Sequence, residues 1–402
     1  MNRTSIRALL VEDNPGDAQL IRTYLRDAGG TDGFEVDLTH VDRLSQALRL
    51  LEDDQTDVLL LDLALPDSTG SATLEEVRRK NQDLPVVVLT GQSNTRVALR
   101  AVEQGAEDYL VKGHLDGDRL LRAIRYAIVR SEHRRTERAL MMYQKELQVA
   151  WKIQHSLYPD ASPLLAGCHV AGASYPAETV GGDYYDYIPM RDEQFGVVIG
   201  DASGHGIGPA MLMAEARATL RTLAQTYRGV DEIVTIANRI LIEGMLDNHF
   251  ITLILVRLDP HRQTLEYASA GHPPGYVFDA AGHVVIELDS TNMPIGILPD
   301  EQFSSSGPVQ LERGQIVLLL TDGVLEAGRP GRKPFGPDRV KAVVREHRRL
   351  SPSLIVDALY RRILEYCHPN LPHDDMTMIV IKIDHDEAGL PMQAAAAEAA
   401  DT

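Results

Sequence analysis

The sequence predicts an α/β protein with two domains, an N-terminal doubly wound sheet of five parallel strands and a C-terminal α+β domain. The chain has 402 residues, which is more than one compact hydrophobic core usually accommodates. Over the first ~127 residues, short apolar runs alternate with amphipathic segments, as is typical of a parallel sheet with helices on both faces. After Pro159 the chain is rich in strand-like runs, which favours antiparallel sheets with helices packed outside.

The composition argues against several classes of protein. Forty Lys and Arg residues against 58 Asp and Glu residues give a net charge of −18, which argues against nonspecific binding to DNA or to anionic membranes. The cysteines, Cys168 and Cys367, do not have the spacing of a disulfide framework or a zinc site. No apolar run approaches the ~20 residues that span a bilayer, and Glu12 and Asp13 interrupt the first run too early for a signal peptide. We therefore expect a cytoplasmic protein that binds neither nucleic acid nor membrane.

The first domain, residues 1–127, is predicted to place its active crevice at the carboxyl ends of its strands. The five predicted strands cover residues 6–11, 34–41, 57–63, 84–90 and 108–112. The amphipathic segments between and after them cover residues 17–27, 43–53, 71–80, 95–104 and 117–130.

A helical linker is predicted over residues 128–158, where no helix breaker occurs and apolar residues recur at helical spacing. Pairing of this helix with a second copy, which would give a homodimer, is slightly favoured over a solvated helix that only spaces the domains. The second domain is predicted over residues 159–385, and the Ala-rich residues 386–402 are expected to be disordered. The strands predicted in the second domain are 195–201, 250–259, 264–271, 275–280, 315–323 and 376–384, and its helices are 209–227, 230–246 and about 352–367.

An acidic site is predicted in the first domain. Glu12, Asp13 and Asp62 follow or end neighbouring strands, so their carboxylates can share one hard cation, and Mg²⁺ prefers such oxygen ligands. Thr90 supplies a hydroxyl and Lys112 a cation at the ends of the next strands. This combination suits phosphoryl transfer onto a carboxylate.

These residues resemble the receiver domain of bacterial response regulators over about residues 1–127. The matching segments are VEDN, DLALPDSTG, LTG and DYLVKG. The resemblance implies that Asp62 accepts a phosphoryl group from a histidine kinase or phosphotransfer protein, and that Thr90 and Tyr109 report its phosphorylation. It also implies that Mg²⁺ is held by Glu12, Asp13, Asp62 and the carbonyl group of Ala64. Gly113 stands where most receivers have proline, which removes no reacting group.

A second acidic site is predicted from four aspartates beside glycines, turns or strand ends: Asp183 in GGDYYD, Asp201 in IGDASGHG, Asp322 in LLLTDGV and Asp374 in HDDMT. Carboxylates without imidazole or thiolate ligands favour Mg²⁺ or Mn²⁺ over zinc. Two such ions ~3.5–4 Å apart can activate a water and clamp the phosphate that it attacks. The site therefore suits phosphoester hydrolysis. Any one of these aspartates alone would more often cap a turn, and His205 in its glycine turn is more often structural than a base.

The second domain resembles the SpoIIE/RsbU branch of the metal-dependent (PPM, type 2C) Ser/Thr protein phosphatases over about residues 145–385. The motifs are ELQVAWKIQHSLYP, AETVGGDYYD, GDASGHGIGPAMLMA, ASAGHPPGY, MPIGI, LLLTDGVLEA and DDMTMIVIK. The resemblance implies a β-sandwich flanked by helices and two Mn²⁺ or Mg²⁺ ions at one edge. The implied ligands are Asp183, Asp201, the carbonyl of Ala202, Asp322 and either Asp374 or Asp375, of which Asp374 is favoured. Asp186 and His205 occupy motif positions without an implied direct role.

The sequence thus predicts a response regulator whose output is dephosphorylation of phosphoserine or phosphothreonine on a protein. The family resemblance points to a STAS-domain anti-sigma-factor antagonist as substrate, with phosphorylation of Asp62 exerting control through the linker helix. One alternative is a C-terminal domain that captures a partner without hydrolysing its phosphate. Another is a receiver domain that only promotes dimerisation. A DNA-binding output is not supported, because no helix-turn-helix is recognisable after residue 127.

Overall fold

The computed structural model describes residues 5–29, 35–53, 56–91, 100–245 and 249–384. The chain forms two compact units, Met1–Gln144 and Lys145–Thr402. The boundaries predicted above, at residues 127, 158 and 385, stay predictions. The tail predicted to be disordered, residues 386–402, lies outside the described residues.

The first unit is built on a five-stranded parallel sheet, as predicted. Its strand order is β2-β1-β3-β4-β5. The strands are β1 (Ser5–Val11), β2 (Glu35–Val41), β3 (Val58–Asp62), β4 (Val86–Thr90) and β5 (Asp108–Val111). The helices between them are α1 (Pro15–Gly29), α2 (Leu44–Leu50) and α3 (Ser71–Lys80). Of the helix predicted over 95–104, residues 95–99 lie outside the described part of the chain and residues 100–103 are helical.

Helices cover both faces of this sheet. Every residue of β3 and β4 is buried, as in parallel sheets with two covered faces. Successive strand residues point to opposite faces, so Leu59 and Leu60 belong to different apolar clusters. The Leu59 cluster includes residues of α2 and α3, and the Leu60 cluster includes residues of α1 and of the helix that follows β5.

That helix, α4, runs without interruption from Gly117 to His155 and combines the two segments predicted separately. Its first part packs on the Leu60 cluster. Further along, Ser131 donates a hydrogen bond to the carbonyl oxygen of Asp83 (2.5 Å), and Arg138 forms an ion pair with the Asp83 carboxylate (2.7 Å). The first unit therefore includes helix residues beyond the predicted boundary at 127. No helix within the described ranges is both long enough and apolar enough to cross a membrane.

The second unit is a sandwich of two sheets. The first sandwich sheet has the order β14-β11-β10-β9-β8, and the second has the order β13-β12-β15-β16-β7-β6. The strands are β6 (Leu164–Leu165), β7 (Cys168–Tyr175), β8 (Asp183–Pro189), β9 (Phe195–Ala202), β10 (Ile251–Asp259), β11 (Thr264–Ala270), β12 (Gly275–Phe278), β13 (Val284–Leu288), β14 (Ser306–Gln310), β15 (Ile316–Leu320) and β16 (Met376–Ile383).

Helices pack on the outer faces of the sandwich, which confirms the predicted fold class. They are α5 (Ile207–Ala224), α6 (Val230–Ile242), α7 (Asp322–Glu326), α8 (Gly336–His347) and α9 (Pro352–Cys367). An inner cluster joins apolar residues of both sheets, such as Val197 and Val317. Helices α5 and α6 pack on the first sandwich sheet, whereas α8 and α9 pack on the second.

The antiparallel pairings bring the ends of specific strands together at one edge of the sandwich. Asp183, the first residue of β8, pairs with Asp201 near the end of β9. In the second sandwich sheet, the end of β15 lies beside the start of β16, where Leu320 pairs with Met378. The predicted strand 315–323 ends at Leu320, and Asp322 begins the short helix α7 instead of ending a strand.

Candidate functional site

The first unit holds an acidic crevice at the carboxyl end of its parallel sheet. Glu12 and Asp13 follow β1, and Asp62 ends β3, the neighbouring strand. These three residues each offer a carboxylate oxygen such that the three atoms lie within 4.8 Å of one another. Glu12 is fully buried, Asp62 is 6% exposed, and Asp13 is exposed. The structure thus brings together the three carboxylates predicted to share one cation.

Lys112 follows β5 and offsets part of the negative charge of this crevice. Its Nζ lies 2.6 Å from Glu12 Oε2, 2.6 Å from Asp62 Oδ2 and 3.1 Å from Asp17 Oδ2. Burial disfavours its ammonium form, but the hydrogen bonds that it donates to Asp62 and Glu12 outweigh that effect and raise the pKa of Lys112. Burial raises the pKa of Glu12 even though Lys112 opposes the shift. The lysine therefore stays charged and holds two carboxylates in place.

Thr90 and Tyr109 lie on the next two strands of the same sheet. Thr90 ends β4 and is buried, and its hydroxyl donates a hydrogen bond to the carbonyl oxygen of Gly91 (3.3 Å). Tyr109 on β5 is half-buried and packs against the Leu59 cluster. Ala64 is exposed just beyond Asp62, whose Oδ1 accepts a hydrogen bond from the Ala64 N–H (3.0 Å). Among the described residues, no hydrogen bond joins Thr90 to Asp62.

The second unit contains a groove of about 870 Å³ at the edge where β8, β9, β15 and β16 meet. Asp201, Asp322, Asp374 and Asp375 line it, together with Thr252. Asp183, although predicted to belong to this group, is only 2% exposed and lies behind the groove surface. The predicted aspartates thus run from a buried residue through half-buried Asp201 and Asp322 to exposed Asp374.

Burial, followed by neighbouring charges, raises the pKa values of Asp183, Asp201 and Asp322. Burial, then the Asp201 charge, raises the pKa of Asp183 well above its usual range. Burial, then the charges of Asp322 and Asp374, raises the pKa of Asp201 to about 8. Burial and the Asp374 charge also raise the pKa of Asp322. None of these four aspartates forms an ion pair with a Lys, Arg or His within the described ranges. Their negative charge is therefore not neutralised by the protein.

The groove carboxylates are spaced more widely than those of the first unit. In the part of the chain that the structure describes, only Glu12, Asp13 and Asp62 bring three potential ligand atoms within 4.8 Å of one another. A single cation binds oxygen ligands at ~2.0–2.6 Å and so requires such close spacing. The groove aspartates consequently do not form a three-carboxylate site around a single point.

Asp374 and Asp375 differ in what they contact. Both carboxylate oxygens of Asp375 accept backbone hydrogen bonds, from the N–H of Ala177 (2.8 Å) and of Gly182 (2.9 Å). Asp374 is exposed in the groove and its Oδ1 accepts a hydrogen bond from the N–H of Asp375 (2.9 Å). Asp375 therefore ties the loop before β8 to β16, whereas the second carboxylate oxygen of Asp374 has no hydrogen-bond partner among the described residues.

Two glycines allow the loop before β8 to approach these residues. A Cβ on Gly181 would lie 1.9 Å from Asp375 Oδ2. A Cβ on Gly182 would lie 2.6 Å from the Ala202 carbonyl oxygen and 2.9 Å from Asp201 Oδ1. Because real contacts of Cβ atoms are not that short, the GGD motif is required for Asp183 to reach Asp201.

Sequence reasoning missed several residues that support the site. Thr321 Oγ1 donates a hydrogen bond to Asp183 Oδ2 (2.9 Å) and so links the two sandwich sheets. Thr252, which pairs with Asp201 across β9 and β10, contacts His272 through Oγ1 and Nδ1 (3.0 Å). His272 is buried, and burial lowers its pKa to about 3, so it is neutral. His272 lies in the motif ASAGHPPGY, but its partner Thr252 becomes apparent only in the folded chain.

The last turn of α4 also contacts the site. The side-chain amide of Gln154 donates to the Gly181 carbonyl oxygen (2.7 Å) and accepts from the Gly181 N–H (3.2 Å). Tyr158, just beyond the helix, donates its hydroxyl hydrogen to the Asp183 carbonyl oxygen (2.9 Å). These contacts connect the end of the helix to the GGD motif.

Two motif residues lie outside the carboxylate group. Asp186 is fully buried, and both its oxygens bind the guanidinium of Arg221 (2.6 and 2.7 Å), which makes it a structural ion pair. His205 lines the groove with its side chain 85% exposed, 3.5 Å from the Glu178 carboxylate. Nothing in the described structure brings His205 into hydrogen-bonding contact with the groove aspartates.

Comparison with known protein families identifies both units. Residues 8–125 match the family model of the response regulator receiver domain. Residues 191–384 match the family model described as Stage II sporulation protein E (SpoIIE), a range that begins after Asp183.

Individual relatives cover parts of the chain. Phosphoserine phosphatase RsbU of Bacillus subtilis (strain 168) is 26% identical over 259 residues, which are 64% of this chain and 76% of RsbU. Phosphoserine phosphatase RsbP of the same organism is 30% identical over 190 residues, and the match covers 46% of each chain, less than half of RsbP. The solved SiaA-PP2C domain of Pseudomonas aeruginosa aligns with a TM-score of 0.54 and 27% identity, covering 61% of this chain and 98% of that domain.

Proposed function

The chain joins a response regulator receiver domain to a SpoIIE-type phosphatase domain, and we propose that it hydrolyses phosphoserine or phosphothreonine on a protein under the control of phosphorylation at Asp62. One observation carries the hydrolytic part of the proposal. Asp183, Asp201, Asp322 and Asp374 converge at one edge of the sandwich with no neutralising side chain among the described residues. Such carboxylates are stable as anions only with bound cations.

The donor set fits divalent metal ions. All candidate donors are oxygen atoms, which favours Mg²⁺ or Mn²⁺, and their wide spacing suits two ions better than one. We propose that Asp183, Asp201, Asp322, Asp374 and the carbonyl of Ala202 hold them. When bound, such ions lower the pKa of a coordinated water and neutralise the phosphate. The protein's own part is to fix the carboxylates: Thr321 orients Asp183, and Asp375 holds the GGD loop.

The substrate class follows from the relatives and the site. RsbU and RsbP are phosphoserine phosphatases, which supports a phosphoserine protein as substrate. The groove is open, and its lining includes exposed charged side chains such as Glu178 and Glu326, as expected for a surface that receives a protein segment. A STAS-domain anti-sigma-factor antagonist is the specific substrate that we propose.

The receiver is proposed to take its phosphoryl group from a histidine kinase or phosphotransfer protein. Asp62 is the acceptor, and Glu12, Asp13, Asp62 and the Ala64 carbonyl fit one Mg²⁺. Lys112 already contacts Asp62 and would bind the added phosphoryl oxygens. Thr90 and Tyr109 are proposed to respond to the phosphorylation of Asp62.

Helix α4 is proposed to carry this signal and to pair with a second copy. Apolar side chains beyond its buried part are exposed, among them Leu140, Met141, Tyr143, Val149 and Ile153. At its end, Gln154 and Tyr158 contact Gly181 and Asp183. A change in how the helices pair would therefore change how firmly Asp183 is held. Real coupling requires such an element with two arrangements.

Hydrolysis of p-nitrophenyl phosphate and of a phosphoserine peptide by the full chain, with and without Mn²⁺, tests the hydrolytic proposal. We expect saturable Mn²⁺-dependent turnover that Asp201→Ala lowers at least about a thousandfold, while the folding transition is retained. Binding of a phosphoprotein without turnover would contradict it and favour the partner-capture alternative.

A further inference from the structure

The loop of residues 328–334, GRPGRKP, is the basic loop of the second unit. It carries Arg329, Arg332 and Lys333 within seven residues of an otherwise acidic chain. Arg329 and Arg332 line the same groove as Asp201, Asp322 and Asp374. The groove thus has an acidic interior and a positively charged segment in its lining.

Helix α9 holds this loop through one residue, Tyr366. The Tyr366 hydroxyl donates to the Lys333 carbonyl oxygen (2.7 Å), and the Tyr366 carbonyl accepts from Arg329 Nε (2.9 Å). Phe335, buried at the end of the loop, packs edge-on against the Tyr366 ring, and its N–H donates to the Ala327 carbonyl oxygen (2.7 Å). The loop therefore has a defined shape and a fixed position along the groove.

Arg329 and Arg332 have different surroundings. Arg329 is half-buried, and its Nε donates a hydrogen bond to the Tyr366 carbonyl oxygen. Its side chain therefore helps to hold the loop in place. Arg332 is exposed, and its N–H donates to the Arg329 carbonyl oxygen (3.0 Å) in a turn that Gly331 makes possible with a φ of +77°. The Arg332 guanidinium has no hydrogen bond or ion pair with any described residue. Folding thus leaves this cation available to a ligand in the groove.

We propose that Arg332 is a specificity-determining residue that binds acidic side chains next to the phosphorylated residue of the protein substrate. The inference rests on the proposed phosphatase activity. A guanidinium binds carboxylates in a bidentate geometry. Because the loop that carries Arg332 already has a fixed position, ordering this residue on substrate binding costs little entropy. The carboxylates of the groove are proposed to hold the cations that would bind the substrate phosphate. The exposed guanidinium of Arg332 is then suited to the flanking side chains of the substrate.

A charge-reversal experiment tests this inference. Two phosphoserine peptides that differ only in flanking residues, Asp in one and Lys in the other, are compared with p-nitrophenyl phosphate, which has no flanking side chains. Wild type is expected to have a KM about fivefold lower for the Asp peptide. Arg332→Glu is expected to reverse the preference, with KM for p-nitrophenyl phosphate changing less than about twofold. Raising salt from about 50 to 500 mM should weaken the wild-type preference, since salt screens exposed charges.

Arg349→Glu is the matched control, because Arg349 is an exposed arginine of the same unit that does not line the groove. Its peptide preference should equal that of wild type. The inference is overturned if Arg332→Glu and Arg349→Glu behave alike. It is also overturned if Arg332→Glu raises KM for p-nitrophenyl phosphate as much as for the Asp peptide, since Arg332 would then bind the phosphoryl group itself. Failure of wild type to hydrolyse any of the three substrates would instead contradict the proposed function.

Discussion

The side-chain amide of Gln154, in the last turn of α4, forms two hydrogen bonds with the backbone of Gly181. Gly181 precedes Gly182, whose N–H binds Asp375, and Asp183 follows directly. A single side chain at the end of a 39-residue helix therefore holds the loop that presents one of the candidate metal ligands.

Gln154→Ala tests this contact. The variant loses two hydrogen bonds, each worth about 1 kcal/mol, and leaves the GGD loop less constrained. We expect the Mn²⁺ concentration for half-maximal activity to rise about tenfold, because residues that orient metal ligands typically act on metal affinity. Gln148→Ala, at an exposed position of the same helix, serves as the control. Equal metal affinities in the two variants would show that the Gln154 contact has no role in the site.

Asp374→Asn and Asp375→Asn are expected to fail in different ways. Asp374→Asn removes a charge that raises the pKa of Asp201 and Asp322. The metal-free variant should therefore be at least as stable as wild type. Its Mn²⁺-dependent activity should be lost. Asp375→Asn leaves only one oxygen for the two N–H groups of Ala177 and Gly182, which should cost about 1–3 kcal/mol of unfolding free energy. Thermal unfolding and Mn²⁺ titration of both variants check this, and the reverse pattern would assign the ligand to Asp375.

Lys112→Met is expected to destabilise the receiver domain when Mg²⁺ is absent. Glu12 and Asp62 would lose their cation while remaining buried, which typically costs about 3–5 kcal/mol. Addition of Mg²⁺ should recover more stability in this variant than in wild type, since the ion then replaces the lost charge. Denaturant unfolding measures both effects.

Lys80→Met is the control for Lys112, because Lys80 forms an exposed ion pair with Glu52 at a similar distance, 2.6 Å. Exposed pairs contribute at most about 1 kcal/mol. A Lys112→Met protein as stable as the Lys80→Met protein would contradict the role given to Lys112.

His272 should make stability depend on pH. Burial lowers its pKa to about 3, whereas the histidine of an unfolded chain has a pKa of about 6.5. Between these values only the unfolded chain binds the proton, so this residue's contribution to stability falls as the pH falls from about 6.5 to 3. The destabilisation caused by His272→Asn should therefore be about 3 kcal/mol smaller at pH 4.5 than at pH 7.5.

Urea unfolding of wild type and His272→Asn at the two pH values gives this difference. His169→Asn, at an exposed strand position, should show the same destabilisation at both. A pH-independent effect of His272→Asn would mean that the imidazole is not held neutral in the folded protein.

The parallel sheet was predictable because its central strands are continuous apolar runs, VLLLD and VVVLT, bounded by helical segments. Strands β7 and β8 escaped prediction, since CHVAGASY and DYYDYIP contain small or charged residues. In β8 the buried charge of Asp186 is neutralised by Arg221, which is 35 residues away and cannot be inferred from local pattern. The first strand of the predicted dimetal edge is therefore absent from the predicted strands.

The candidate ligands were predictable from local sequence, since Asp201 and Asp322 stand beside glycines close to strand ends and Asp374 lies just before β16. Their supporting residues were not predictable. Gln154 looks like any polar residue of an exposed helix, and its role exists only because the chain brings Gly181 against it. The contact between Thr252 and His272 likewise depends on two strand ends meeting.

The proposed control of the phosphatase by the receiver can be checked by comparing one kinetic constant. It is the kcat/KM of the full chain for a phosphoserine protein in Mn²⁺, before and after treatment with acetyl phosphate and Mg²⁺, in wild type and in Asp62→Ala. We expect a change of about fivefold or more in wild type and none in Asp62→Ala. An unchanged wild-type value, or the same change in both proteins, would contradict it.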